Sequence, residues 1–275
     1  MVRKIFDGVF DFFDKPLMQR SYLALIYAVL YAPILILMVF SFNEGKRGGK
    51  WQGFTFKWYG ELFNDSQIMK ALYYTLTIAL IASIVATLIG TLAAYGIHRY
   101  KKKWAKKSIL AVNNIPILNP DIVTGVALMV WFAFLFNAIF GIRNGFLTLL
   151  IAHITFCIPY VVLSVLPKLK QMPKDTVEAA MDLGAKPSQA FMKVVLPEIK
   201  PGIVTGALIA FTLSIDDFVI SFFTTGSGVQ NLSISIFSMA RKGISPKINA
   251  LSTLMFLAVI GLLIVVNKRS KIEDL

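Results

Sequence analysis

One cysteine, Cys157, occurs in 275 residues. That excludes an intrachain disulfide and a cysteine-based metal site. Cys157 lies inside an apolar run, where a thiol packs by default as a small buried hydrophobe. Histidine is almost as scarce. His98 and His153 stand far apart and make no HExxH or related metal spacing. There is no GxxxxGK[S/T] phosphate loop, so the chain is expected to hydrolyse no ATP of its own. Charge is thin as well: 16% of residues are charged against 56% hydrophobic, too few for a soluble domain of this length. No internal repeat, linker or low-complexity tract interrupts the chain.

What is present in excess is long apolar blocks, and a bilayer span needs about 20 such residues. Six spans are predicted, near Leu23–Phe42, Leu72–Ile97, Ile109–Phe140, Phe146–Leu166, Ile203–Phe223 and Ala250–Val266. The third stretch is too long for one simple span. It carries Pro116, Asn119, Pro120 and Asp121, which predicts a kink or an entry by a short surface segment. The expected class is therefore an all-α integral membrane protein in the cell membrane.

The formal net charge of +13 would point to nucleic acid in a soluble protein. Here its placement gives another reason. With both termini in the cytoplasm, 19 of the 28 Lys and Arg fall on the inner side, as topology requires. Nucleic acid is not expected as a partner; the lipid bilayer is. The first twenty residues do not resemble a cleaved signal, since they hold three aspartates and no small-residue cleavage pattern follows. Ile5, Phe6, Val9, Phe10 and Phe13 share one helical face opposite Asp7, Asp11 and Asp14. They fit an interfacial helix or a frayed tail. The aromatic loop with Trp51, Phe54, Phe56, Trp58 and Tyr59 fits an interfacial belt or a docking surface for an outer partner.

The basic loop between spans four and five is unusual. Pro173 suits the first turn of a helix, and Asp175 and Glu178 suit its N-terminal half. Gly184 suits a left-handed stop after Leu183. Pro187 restarts a helix with Phe191, Val194 and Val195 on one apolar face, and Pro197 is expected to end it. Ala179 and Ala180 keep one surface low for a partner. Two short helices meeting at a glycine outside the membrane make sense if they dock into something.

Glu178-Ala179-Ala180, then Gly184 after the three-residue spacer Met181-Asp182-Leu183, then Val194, Leu196 and Pro197, resembles the EAA loop of ABC-importer permeases. Lys186 departs from the pattern, where relatives often place a serine-like cap. The resemblance implies a type I, MetI-like permease fold in a bacterial inner membrane. It implies ATPase coupling through Glu178, Ala179, Ala180, Asp182, Gly184, Val194, Leu196 and Pro197. It also implies a second permease subunit in a heterodimer, two ATP-binding cassette subunits that hold ATP and Mg, and an extracytoplasmic substrate-binding protein. No cofactor would be bound by this chain. On that reading residues 1–20 form a tail, 21–267 the permease domain with its coupling loop at 172–197, and 268–275 a second tail.

Charges inside spans cost about 2.5–3.5 kcal/mol on insertion scales and are functional candidates. Asp121, Asp216 and Asp217 qualify, with no basic residue in those spans. They suit a cationic substrate; they could also cap kinked helices. Tyr160 could stack on or bond a substrate, or simply pack. A buried, hydrogen-bonded role is expected for His153. Trp51-Gln-Gly-Phe-Thr-Phe-Lys-Trp-Tyr59, Pro120-Asp121-Ile122-Val123, His153-Ile-Thr-Phe-Cys-Ile-Pro159, Thr212-Leu-Ser-Ile-Asp-Asp217 and Gly243-Ile-Ser-Pro-Lys-Ile-Asn-Ala250 are similar to the spermidine/putrescine permeases of that family. The similarity implies polyamine import by alternating access. Another small cation or a metal would fit the unpaired acids too. An ion-gradient transporter would not need the docking loop, and an intramembrane enzyme would need a catalytic constellation that two scattered histidines and one cysteine do not make.

Overall fold

The computed structural model describes residues 16–45, 50–141, 143–173, 175–226, 228–241, 243 and 245–273. The amphipathic stretch Ile5–Asp14 lies outside them. The described chain is helical, with one isolated antiparallel bridge between Asn43 and Phe54. In chain order the helices are α1 (Pro16–Phe40), α2 (Lys57–Phe63), α3 (Ser66–Arg99), α4 (Lys103–Leu118), α5 (Asp121–Phe132), α6 (Phe146–Gln171), α7 (Thr176–Asp182), α8 (Pro187–Ala190), α9 (Leu196–Asp216), α10 (Val219–Thr224), α11 (Leu232–Arg241) and α12 (Pro246–Glu273). Wider π-helical turns extend α5 over Ala133–Ile139 and join α8 to α9 over Phe191–Val195. Among the described residues, five helices are long and apolar enough to cross a membrane. The described apolar part of α12, Pro246–Gly261, is shorter.

Packing divides the chain into two compact units. The first ends at Asn64 and includes Met239–Ala258. In it, α1 buries none of its apolar stretch. Beyond α1, Asn43 knots the chain: its side chain donates to the Lys50 carbonyl at 2.8 Å and accepts the Gln52 N–H at 2.8 Å. Its own carbonyl accepts the Trp58 indole N–H at 2.7 Å, and Trp58 is buried. So Trp58 is an internal anchor rather than part of a belt. Phe42 and Phe54 stack at 5.3 Å, while Trp51, Phe54 and Phe56 remain exposed.

The second unit runs Asp65–Ser238 and resumes at Val259. Its centre is the packing of α3, α6 and α9 on one another. Among apolar helices in lipid, close approach rather than exclusion of water drives association, and small residues allow it. Ala82, Ala86, Gly90 and Ala94 follow at intervals of four along α3, and all three alanines are fully buried. A Cβ on Gly90 would stand 2.7 Å from that of Val161 on α6. Gly202 and Gly206 repeat the device on α9: a Cβ there would lie 2.9 Å from the Ser164 carbonyl oxygen and 3.2 Å from the Val161 Cα.

Several expected boundaries move. The third stretch is interrupted as its prolines require, and its membrane-length helix starts at Asp121 rather than near Ile109. Asn119 is extended, Pro120 follows, and a new helix starts at Asp121; the residue before a proline avoids helical geometry. The fifth span is not continuous to Phe223 but breaks at Asp217-Phe218, between α9 and α10. Pro173 does not open the first cytoplasmic helix. Met172 takes the extended geometry expected before a proline, with ψ 136°, and α7 begins only at Thr176. Pro197 does not end the second helix. The wide turn over Phe191–Val195 relieves the clash that a proline ring meets in a regular helix, so α8 runs on through Pro197 into α9.

Candidate functional site

Two places in the second unit gather the residues singled out above. The first is the loop around α7. Glu178, Ala179 and Asp182 are exposed and Ala180 is half-buried. The Gly184 N–H donates to the Met181 carbonyl at 2.9 Å and the Ala185 N–H to the Ala180 carbonyl at 3.1 Å. These are the two bonds of a Schellman stop. Gly184 itself has φ +87°, a conformation open to glycine and costly for other residues. The turn leaves Leu183 91% exposed. Beyond it, the Lys186 N–H donates to the Gln189 side-chain oxygen at 2.9 Å, the reciprocal half of a capping box. Phe191 packs against Tyr95 of α3 with the rings tilted at 56° and their centres 4.7 Å apart, Val195 is buried, and Val194 and Leu196 are half-buried, while Pro197 is exposed. A cavity of about 170 Å³ lies between the end of α3 and α7, with Tyr95, Arg99, Met172, Val177 and Glu178 in its walls.

The second place is a cavity of about 290 Å³ that collects all three acids: Asp121, Asp216 and Asp217 line it with Phe156, Thr212 and Phe218, and among the described residues no Lys or Arg lines it. Each acid stands at a helix terminus. Asp121 is the first residue of α5, where the helix dipole favours a carboxylate by about 0.3–1 kcal/mol. Asp216 is the last residue of α9 and is exposed. Asp217 differs from both. Its Oδ1 accepts the Ile220 N–H at 3.1 Å, and its Oδ2 accepts the Ser221 N–H at 2.7 Å and the Ser221 hydroxyl at 2.8 Å. It caps α10, and its side chain is only 7% exposed. Tyr160 does not line the cavity; it packs edge-on against Phe156, which does, at 5.4 Å.

Beneath Asp217 lies a polar network in the helix interior. His153 is buried, with Nδ1 2.7 Å from the Ser214 hydroxyl and Nε2 2.9 Å from that of Ser221. Asn231 donates to the Asp217 carbonyl at 3.1 Å and to the Ser221 hydroxyl at 2.6 Å. The next residue, Leu232, donates its N–H to the Thr75 hydroxyl of α3 at 2.7 Å. His153 thus holds the buried place expected of it. Ser214, Ser221 and Asn231 carry no sequence signal of their own, since serines and asparagines are common in loops and helix ends. Leu183 was equally silent, one apolar residue among many.

Residues 86–268 match the family model described as binding-protein-dependent transport system inner membrane component. The chain is 41% identical over 239 residues to the spermidine/putrescine transport system permease protein PotC of Escherichia coli K12, covering 87% of this chain and 88% of that protein. It is 41% identical over 234 residues to the putrescine transport system permease protein PotI of the same strain, covering 85% and 83%. In fold it is similar to a chain from the crystal structure of a bacterial ABC transporter involved in the import of alginate, with a TM-score of 0.71 and 16% identity over 96% of this chain and 98% of that one. A chain of the inward-facing MetNI methionine ABC transporter gives a TM-score of 0.59 at 21% identity, over 75% and 98%. The extent of these matches, on an all-helical permease fold, makes the chain a member of the family of inner membrane components of binding-protein-dependent transport systems.

Proposed function

We propose that this chain is the membrane-spanning subunit of an ATP-driven polyamine importer. The observation that carries the reading is the convergence of Asp121, Asp216 and Asp217 on one cavity with no lining cation among the described residues. Carboxylates in such a place attract a substrate that brings its own positive charge, and relatives named for spermidine and putrescine agree with that chemistry. Asp121 and Asp216 face the cargo. Asp217 shapes the site, and Tyr160 supports the Phe156 wall.

Six spans cross the membrane with both termini in the cytoplasm, α12 being the last. The bias of Lys and Arg supports this orientation. It puts α7 on the inner side, where the exposed Glu178, Ala179, Asp182 and Leu183 dock on an ATPase subunit. The working assembly then contains this chain, a second permease subunit, two ATPase subunits that bind ATP and Mg, and an outer binding protein that delivers cargo. This chain hydrolyses nothing. Closure of the ATPases moves α7, and α9 carries the motion to the acid cavity through the continuous helix over Pro187–Asp216.

The test is uptake of labelled spermidine and putrescine by proteoliposomes holding the assembled complex, with binding protein added outside. Asp121→Asn and Asp216→Asn are expected to lower uptake more than they lower ATP hydrolysis. Full uptake by the double variant would remove the cargo reading of the cavity.

A further inference from the structure

A helix that breaks inside a membrane protein frees backbone groups that must find partners nearby. At the break between α9 and α10, three such groups find partners in one small set of side chains. Asp217 takes the N–H groups of Ile220 and Ser221, the second and third residues of α10, on its carboxylate. Its own carbonyl takes an amide N–H from Asn231. The other end of the Asn231 amide accepts the Ile234 N–H at 3.0 Å and so caps α11. The Ser221 hydroxyl has one proton, and it points to Asp217. Its lone pairs therefore receive Asn231 Nδ2–H and His153 Nε2–H. His153, Ser214, Ser221 and Asn231 are each at most 2% exposed.

The network determines where the break can be. α10 is the strut it holds, and that strut touches both free acids' elements. On one side it follows Asp216 and Asp217 directly. On the other it packs on α5 so closely that a Cβ on Gly125 would lie 2.9 Å from the Phe223 ring. Gly125 is about one turn from Asp121, the start of the same helix. Phe218, at the break, lines the cavity and packs on Phe237 of α11 at 4.5 Å. The spacing of Asp121 and Asp216 is thus set by a strut whose position is set by Asn231, Ser221 and His153.

We infer that Asn231, Ser221 and His153 are positioning residues that fix the separation of Asp121 and Asp216, and so determine which spacing of positive charges in the cargo the site prefers. The inference rests on the cation reading of the cavity. Asp217 belongs with the positioning set, because both of its oxygens are already engaged.

The experiment compares a short diamine, putrescine, with the longer triamine spermidine, in proteoliposomes of the whole complex normalised to assembled permease. Asn231→Ala is expected to change the ratio of the two apparent KM values by about fivefold, the equivalent of one lost hydrogen bond. Ser221→Ala is expected to change it in the same direction, and His153→Gln, which keeps a donor for Ser221, to stay closer to the parent ratio. If Asn231→Ala does not assemble, Ser221→Ala carries the test, because the backbone N–H bonds to Asp217 survive it. A structural role alone would lower both uptakes together and leave the ratio unchanged, and that result overturns the inference. Asp216→Asn separates the two levels. If it shifts the ratio while Asn231→Ala and Ser221→Ala do not, only the positioning claim fails. If it affects neither cation, the cargo reading fails and takes the inference with it.

Discussion

The backbone N–H of Ala185 donates to the carbonyl of Ala180 at 3.1 Å, and this bond turns the chain at the tip of α7. It forms because Gly184, between them, adopts φ +87°. An L-residue pays about 1–2 kcal/mol in that region. Gly184→Ala is therefore expected to loosen the tip without disturbing the core, since no atom lies within 4 Å of the added Cβ. Cargo uptake should fall while the amount of permease in the membrane stays constant. Glu178→Ala should do likewise. Unchanged uptake in both variants would remove α7 from coupling.

Leu183 extends from that tip with 91% of its surface exposed. Surface substitutions away from special features change stability by no more than about 0.5 kcal/mol. Leu183→Asp should accordingly leave thermal unfolding in detergent unchanged, yet reduce co-purification of the ATPase subunit. Equal recovery of the ATPase from parent and variant would show that the apolar tip contributes nothing to docking.

Gly90, Gly202 and Gly206 close the α3, α6 and α9 contacts. Overpacking of such sites costs about 1–3 kcal/mol. Gly202→Ala, which forces a Cβ to 2.9 Å from the Ser164 carbonyl oxygen, is expected to lower the Tm by several degrees. Gly96→Ala on α3 is the control, because nothing lies within 4 Å of its Cβ. There alanine improves helix propensity by about 0.5–1 kcal/mol, so the Tm should hold or rise. Equal loss at both sites would argue against close packing as the cause.

Cys157 is fully buried and its thiol donates to the Ala210 carbonyl at 3.4 Å. A maleimide should leave it unlabelled in native membranes and label it after denaturation. Cys157→Ser then supplies a background for topology. Single cysteines at Lys102 and Glu61 should react from the cytoplasmic and the outer side respectively. The reverse pattern would invert the orientation proposed above.

Some of this could be read from the chain directly, because its causes are local. The left-handed stop at Gly184 needs only a glycine after a short helix. The restart at Pro187 needs only the fixed φ of proline. The cost of a carboxylate in an apolar stretch marks Asp121, Asp216 and Asp217 whatever their surroundings. Pro197 shows the limit even of local rules. A proline ends a regular helix, but a wider turn ahead of it lets the helix continue, and that turn has no sequence signature.

The amino-acid sequence by itself determined the apolar helices, the turn at Gly184 and the three acids. The tertiary structure decided that the chain breaks at Asp217, and so which of the acids caps a helix. Asp216 and Asp217 are chemically identical neighbours; Ile220 and Ser221, three and four residues on, engage the carboxylate of Asp217, and the groups that hold Ser221 in place come from far along the chain. His153 reaches Ser214 across 61 positions and Ser221 across 68, and Leu232 reaches Thr75 across 157. Hydrogen bonds at such separations follow from how α3, α6 and α9 pack, and no local pattern encodes that.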